Sequence, residues 1–266
     1  MTVSDTQQWN PERYQRIAGF VSELGAPLLD ILDARPGERI LDVGCGDGAL
    51  TQQLLARGCE VVGIDSSAEQ VGAARARGLD ARVGRAESLD FREAFDGVIS
   101  NATLHWVPDA GAVLEGVYRA LRPGGRFVAE FGGAGNVAVV VTALELALRR
   151  RGVDPRPLNP WYFPAAEEYA ALLERHGFRL HSIRLFPRPT AIESHLDEWL
   201  TLFAQPFLSA VPDHQRESLV REVCEVAAPR LRRDDGGWTV DYVRLRVATA
   251  KPDAPARFPA KSAKNP

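Results

Sequence analysis

The chain has 266 residues, 45% hydrophobic and 25% charged, which is enough apolar material for a sizeable core and excludes global disorder. Its 32 Lys and Arg against 35 Asp and Glu leave a net charge of −3, without the basic excess that a dedicated nucleic-acid binder carries. Three cysteines (Cys45, Cys59 and Cys224) are too few and too scattered for a disulfide framework or a zinc cluster. The polar opening, MTVSDTQQWNPERY, has no apolar stretch of the kind a signal peptide needs, and no apolar run of about 18 residues exists to span a bilayer. A cytoplasmic protein without metal, nucleic acid or membrane is expected.

In chain order, apolar residues at 17, 20, 21 and 24 predict a helix over Tyr14–Leu24, and a second runs from Ala26 to Ala34. The apolar run Arg39–Val43 reads as a buried strand, followed by a glycine-rich turn at Gly44–Gly48 and a helix over Ala49–Arg57 that Gly58 closes. The alternation continues with strand Cys59–Ile64, helix Ala68–Arg77, strand Ala81–Val83, strand Phe95–Ser100, helix Asp109–Leu121 and strand Arg126–Phe131. Strands separated by helices of about ten residues predict a parallel sheet covered on both faces.

Beyond Phe131 the rhythm changes. Asn136–Arg151 is helical, 155–164 is a loop with four prolines, Ala165–His176 is a helix and Phe178–Leu185 a strand. Two helices, Ile192–Leu208 and Asp213–Leu231, precede a last strand over Thr239–Ala248. Residues 251–266 carry four prolines and few core formers, and read as a disordered tail. The expected whole is one domain over 1–250, an α/β doubly wound sheet of seven mostly parallel strands with the last antiparallel. Its cofactor-binding half is 25–134, and a helical cap comes from 135–164 and 192–233.

Chemistry concentrates at Asp42-Val43-Gly44-Cys45-Gly46-Asp47-Gly48, a strand, glycine turn and helix. Glycines let backbone approach a ligand with positive φ, and the helix start offers free N–H groups. Asp65 ends the second strand, where a doubly wound sheet sets a carboxylate beside a ribose. A nicotinamide dinucleotide and a sulfonium nucleoside both suit this plan, but the third glycine of G-x-G-x-x-G is missing, since Ala49 follows Gly48. His105 follows the fourth strand at the carboxyl end of the sheet, where a general base would stand.

The pattern G-x-G-x-G, with Val61–Ser66, Asp96–Trp106 and Leu121–Phe127 following in order, resembles class I S-adenosylmethionine-dependent methyltransferases. Over roughly residues 9–250 the chain is similar to the trans-aconitate-methyltransferase-like branch. Trp9-Asn10-Pro11 with Tyr14, Asn101-Ala-Thr-Leu-His-Trp106, Glu130–Gly133 with Gly135-Asn136, Trp161–Pro164 and Asp241-Tyr242-x-Arg244-Leu245-Arg246 carry the likeness. The resemblance implies S-adenosyl-L-methionine as cofactor. Gly44, Gly46 and Gly48, with Cys45 as a small residue inside the turn, would pass under it. Asp42 would orient its ammonium, Asp65 with Ser66 and Ser67 would hold the ribose hydroxyls, and Asn101 would lie next to the sulfonium. Trp9 and Tyr14 would fold over it as a lid.

Where the family often has an acid for the adenine amino group, this chain reads Gly84-Arg85-Ala86-Glu87. An arginine cannot accept that hydrogen bond, which leaves the backbone at Ala86 or the side chain of Glu87. The expected activity is methyl transfer to a small molecule, a carboxylate among the candidates, by a monomer or homodimer. Substrate choice would fall to the inserted segments, with their arginines (149, 150, 151, 156, 188, 230, 232, 233) and aromatics (161, 162, 163, 199, 203, 207). A non-methylating reaction on the same cofactor, a NAD-dependent oxidoreductase, and a cofactor-binding protein without turnover are the alternatives.

Overall fold

Apolar runs of four to seven residues, each closed by a glycine or a capped helix, alternate through the first half of the molecule. The computed structural model describes Trp9, Arg13, Arg16, Ile17 and residues 19–253, apart from the side chains of Ser22 and Glu23. Helices α1 (Phe20–Gly25) and α2 (Pro27–Leu32) lead into β1 (Arg39–Val43), α3 (Ala49–Ala56), β2 (Glu60–Asp65), α4 (Ala68–Ala76) and β3 (Asp80–Val83). Then come β4 (Phe95–Asn101), α5 (Ala110–Ala120) and β5 (Leu121–Gly132). Two of the helix starts carry side-chain caps. Ser67 Oγ accepts from the Gln70 N–H at 3.2 Å, and Asp109 Oδ1 accepts from the Ala112 N–H at 2.9 Å.

The second half contributes α6 (Ala138–Arg150), α7 (Ala166–Arg175), β6 (Arg179–Pro187), β7 (Thr190–Ile192), α8 (Leu196–Phe203) and α9 (Gln205–Leu208). It ends with α10 (Asp213–Leu231), β8 (Trp238–Val240) and β9 (Val243–Ala250). Seven strands form one sheet in the order β3-β2-β1-β4-β5-β9-β6. The β3, β2, β1, β4 and β5 neighbours are parallel, and β9 is antiparallel to both β5 and β6. This is the doubly wound α/β sheet of seven mostly parallel strands that the sequence predicts, and the order reverses between β1 and β4, where such sheets open a crevice.

Both faces of the sheet are covered, so its strands read as apolar runs instead of alternating ones. Leu41, Val98 and Phe127 pack against α5 and α7 on one face. Their sequence neighbours Ile40, Ile99 and Val128 pack against α2 and α3 on the other. A further apolar cluster joins α6, α8, α9 and α10 around Leu144, Leu200, Phe207 and Leu219. This helical layer covers the carboxyl ends of the strands.

Some boundaries differ from those expected. The last strand is broken, because Asp241 turns its side chain to accept the Val139 N–H at 2.9 Å at the start of α6. β8 therefore pairs with β7 in a separate two-stranded sheet. The helix expected over 192–208 is interrupted at Ala204, just before Pro206, a residue that lacks the N–H to continue it. The stretch 251–266 does not begin as a free tail: the Lys251 ammonium donates to the Leu121 carbonyl at 2.8 Å. Residues 254–266, and Tyr14, Gln15 and Ala18 of the helix expected over Tyr14–Leu24, lie outside the described residues; the end of that helix is α1.

Candidate active site

The turn after β1 is built by three glycines in the left-handed region, at φ of 78° for Gly44, 55° for Gly46 and 83° for Gly48. Their surroundings differ. A Cβ on Gly44 would meet Thr103 at 2.0 Å, and one on Gly48 would meet Leu79 at 2.0 Å, so both are packed against protein. A Cβ on Gly46 would meet nothing within 4 Å, because this residue borders open space.

That space is a cavity of about 660 Å³ between the carboxyl ends of β1, β2 and β4 and the helical layer. Its wall includes Trp9, Asp42, Gly44, Cys45, Gly46 and Asp65. Ser66, Ala86, Glu87, Asn101 and His105 complete the expected set within the same wall. Gly48 is not in it, since it faces Leu79, and Tyr14 lies outside the described residues.

Asp65 closes β2. Its Oδ2 accepts the Gly46 N–H at 2.9 Å and its Oδ1 the Ser67 N–H at 2.9 Å, which ties the glycine turn to the second strand. A carboxylate has about four lone-pair sites, so further acceptor capacity remains. Burial raises the Asp65 carboxyl above the usual range, against the pull of the Ser67, Gly46 and Ser66 amides. Asp42 is deeper, at 1% exposure, and its Oδ2 accepts from Thr51 Oγ1 at 2.7 Å. Burial pushes its carboxyl up to about 6; the Thr51 bond opposes this and the Asp65 charge adds to it. Cys45 is held as a thiol by burial and by the acids around it, so it packs and does not react.

The Asn101 amide donates to the Val21 carbonyl at 3.1 Å, binding the end of β4 to α1. Ala102, next in the chain and also in the cavity wall, is a non-glycine residue at φ 54°, and Val137, in the same wall, is a β-branched one at φ 47°. Such strain gathers where surrounding structure imposes a shape on a site. Arg85 Nε donates to Glu87 Oε1 at 2.8 Å at the rim, so the departure from the family pattern carries its own counter-ion.

His105 stands in a short 3₁₀ turn, Leu104–Trp106, at 7% exposure. The Gly132 N–H donates to its Nδ1 at 3.2 Å, so the neutral ring carries its proton on Nε2. Burial, with the nearby Arg244 charge, holds its pKa well below 6.5.

The remaining wall is aromatic. Trp9 meets Trp106 edge-on at 5.0 Å, Trp106 stacks on Phe203 at 6.4 Å, and Trp161 stacks on Phe163 at 5.8 Å. Two bonds fix this wall: the Tyr162 N–H donates to the His105 carbonyl at 2.8 Å, and Trp199 Nε1 donates to the Tyr242 hydroxyl at 2.7 Å. Gly132 leaves room for the loop, since a Cβ there would strike Phe163 at 2.5 Å.

Trp161, Phe163, Trp199 and Phe203 thus reach the cavity from the inserted segments, whereas Tyr162 and Phe207 do not line it. Nor do the arginines of those segments. Arg150 and Arg151 pair with Glu222, Arg156 with Asp154, Arg188 with Glu130 and Arg233 with Asp235. In the aromatic part of the wall the arginine is Arg244, near the start of β9; its guanidinium lies over the ring of Tyr242, the residue before the strand, 4.4 Å from the centroid. Among the described residues no group of His, Cys, Asp and Glu could hold a metal ion, and no helix is long and apolar enough to cross a membrane.

Residues 41–129 match a family model described as a methyltransferase domain. A Schizosaccharomyces pombe protein named as an uncharacterized methyltransferase is 38% identical over 256 residues, spanning 91% of this chain and 98% of its own. The trans-aconitate 2-methyltransferase of Mycolicibacterium gilvum is 36% identical over 255 residues, spanning 90% of this chain and 97% of its own. In the fold, phosphoethanolamine N-methyltransferase 2 of Haemonchus contortus, solved with S-adenosyl-L-methionine, superposes with a TM-score of 0.61 at 19% identity, over 95% of this chain and 60% of that one. The choice between a nicotinamide and a sulfonium cofactor is thereby decided for the latter. The chain belongs to the class I S-adenosylmethionine-dependent methyltransferases, in their trans-aconitate-methyltransferase-like branch.

Proposed function

We propose that this enzyme methylates a carboxylate of a small-molecule acceptor, and that the glycine-turn side of the cavity holds the cofactor. The residues there fit the group. Gly46 opens onto space, Asp65 has acceptor capacity for a ribose diol, and Asp42 offers a buried anion to an ammonium. Ser66 and the amide of Ala86, with Glu87, border the sugar and base, and Trp9 closes over them. Gly48 serves the packing of α3 on Leu79 and not the cofactor.

When bound, S-adenosylmethionine supplies a methyl on a cationic sulfur: a carboxylate oxygen bonds that carbon as the C–S bond breaks and leaves its electron pair on sulfur, so an anion and a cation give a neutral ester and a neutral thioether. The chain's part is to hold the acceptor oxygen in line and to exclude water. The observation that carries the carboxylate is the state of His105. A neutral ring whose Nδ1 is already used by Gly132 donates from Nε2 and takes no proton. A hydroxyl or carbon acid would need a base, whereas a carboxylate is ionised at neutral pH and needs none.

Calorimetric titration with S-adenosylmethionine and S-adenosylhomocysteine, then a radiolabelled-methyl screen of carboxylates, phenols and amines, tests the reading. The label is expected in a product that releases methanol in alkali. Label in an ether or an amine, or cofactor binding without label in any acceptor, would overturn it. His105 gives a second check: kcat should show no inflection near pH 6.5. An inflection there that vanishes in His105→Asn would restore the histidine as a base.

Asp42 predicts a pH dependence for binding. Below about pH 6 its carboxyl is protonated and neutral, and above it the group is an anion facing the ammonium. Affinity for S-adenosylhomocysteine should rise roughly tenfold from pH 5 to pH 7, following the ionised fraction, and Asp42→Asn should flatten the profile. Stability of the free protein runs the other way. A carboxyl raised in the folded state favours folding below its unfolded value of 3.8, and that contribution is lost as pH climbs through about 6. Affinity that is flat with pH would take Asp42 out of the ammonium contact.

A further inference from the structure

Resting on that reading, we infer that Asn136 is the residue that receives the acceptor's carboxylate, with the Nε2–H of His105 as the second donor. Asn136 belongs to the Gly135-Asn136 pair between β5 and α6, is 4% exposed and stands in the cavity wall. A carboxamide has one acceptor oxygen and two N–H donors. The oxygen is taken: Asn136 Oδ1 accepts the Val243 N–H at 2.9 Å, which also fixes the end that is nitrogen. Among the described residues nothing accepts from Nδ2.

The amide is held still. The Asn136 N–H donates to the Gly133 carbonyl at 2.9 Å and the Val137 N–H to the Asp241 carbonyl at 3.1 Å, and Val137 is the strained residue at φ 47°. A donor already fixed in a buried wall loses little freedom when a ligand takes it.

The wall divides at the crevice between β1 and β4. On one side the acids Asp42, Asp65 and Glu87 stand near the ends of β1, β2 and β3; on the other His105 and Asn136 follow β4 and β5. The two donors meet at Gly132, the last residue of β5. Its N–H donates to His105 Nδ1 at 3.2 Å, which leaves Nε2–H, and a Cβ on it would lie 2.7 Å from Asn136 Nδ2. The neutral donors of Asn101, Thr103 and Ser67, in the same wall, are spent within the protein. They go to the Val21 carbonyl at 3.1 Å, the Asn101 carbonyl at 3.0 Å and Glu69 Oε2 at 2.9 Å.

An N–H donor holds an anion without neutralising it, so the second carboxylate oxygen keeps the electron pair that bonds the methyl carbon. A buried donor left unpaired costs more than one that is paired, and the acceptor's oxygen ends that cost. A protonated amine carries donors alone and cannot pair with Nδ2 or Nε2. The acids across the crevice repel a carboxylate, which directs it to the β4 and β5 side.

The experiment uses the full chain at pH 8 with saturating S-adenosylhomocysteine and follows binding by calorimetry. The probes are fumarate, cinnamate and hexanoate, each beside the primary amide of one carboxyl: fumaramate, cinnamamide and hexanamide. At least one acid is expected to bind about tenfold or more tighter than its amide, and to take label from S-adenosylmethionine. Asn136→Asp keeps an oxygen for Val243 and turns the donor end into an anion. The acid should then weaken by about a hundredfold, so that the amide, which brings its own N–H groups, becomes the tighter of the pair, while S-adenosylhomocysteine affinity stays within about threefold. Asn136→Leu, of similar size with neither donor nor charge, should cut the acid's advantage at least about tenfold, and carries the test if Asn136→Asp does not fold.

No acid bound better than its amide, or an acid preference that survives these substitutions, overturns the inference. A tenfold loss of S-adenosylhomocysteine affinity in Asn136→Leu overturns it too, and assigns Asn136 to the cofactor. These outcomes are separate from failure of the proposed function: an acid labelled as fast by Asn136→Asp as by the unaltered chain sinks only the inference, whereas label in a phenol or an amine sinks the carboxylate reading itself.

Discussion

Replacing Asp65 by Ala is expected to weaken binding of S-adenosylhomocysteine by at least tenfold, and by on the order of a hundredfold if both sugar hydroxyls donate to it. A hydrogen bond to a charged group is worth about 1.5–3 kcal/mol, and 1.4 kcal/mol is a factor of ten. The substitution also frees the Gly46 and Ser67 amides, each of which donates to this carboxylate at 2.9 Å, so the turn loses its anchor to β2. The free protein suffers less than the complex, because burial already disfavours the charged form of Asp65 and alanine relieves that cost. Calorimetry should therefore show a large loss of affinity beside a modest change in melting temperature. Affinity equal to that of the unaltered chain would remove Asp65 from the cofactor site.

Glu130→Ala should be the most destabilising single change away from the cavity. The side chain is 2% exposed in β5; Arg188 grips it through both Nη atoms, and Arg246 Nε donates to its Oε2 at 2.6 Å. Removing the anion leaves two guanidinium groups facing each other beside the Phe186 ring, 5.0 and 5.2 Å from its centroid. Stripping one partner from a buried ion pair costs about 3–5 kcal/mol, which for a chain of this size lowers the melting temperature by on the order of 10 °C. Adding Arg188→Leu and Arg246→Leu to Glu130→Ala should return much of the loss. A loss below about 1 kcal/mol for Glu130→Ala would mean that the triad contributes no more than a surface pair.

What was legible in the sequence was whatever is local. The apolar run Ile40–Val43 and the glycines after it announce a buried strand and an open turn, because burial and positive φ are read within a few residues. The acid at Asp65 follows from the same strand-turn-helix rhythm. What was not legible depends on pairing across long separations. Arg188 looks like a free cation in a basic stretch until Glu130 is brought beside it by the sheet. Trp106 reads as a core residue, but it lies only partly buried at the cavity beside Trp161. Arg244 hides in a strand with Arg246, and only the fold gives one to a buried glutamate and the other to the cavity. Gly48 looks equivalent to Gly46, and tertiary packing against Leu79 separates them.

The position of β9 between β5 and β6 has a consequence for biosynthesis. Strands β1 to β4, with the glycine turn and Asp65, can zip together as soon as they clear the ribosome, since their pairings lie within 39–101. The wedge that brings Tyr242 and Arg244 is translated later than every other strand of the sheet and must slide between two partners already made. The nascent chain thus carries the glycine turn and Asp65 long before Tyr242 and Arg244, the last residues of the cavity wall, are made.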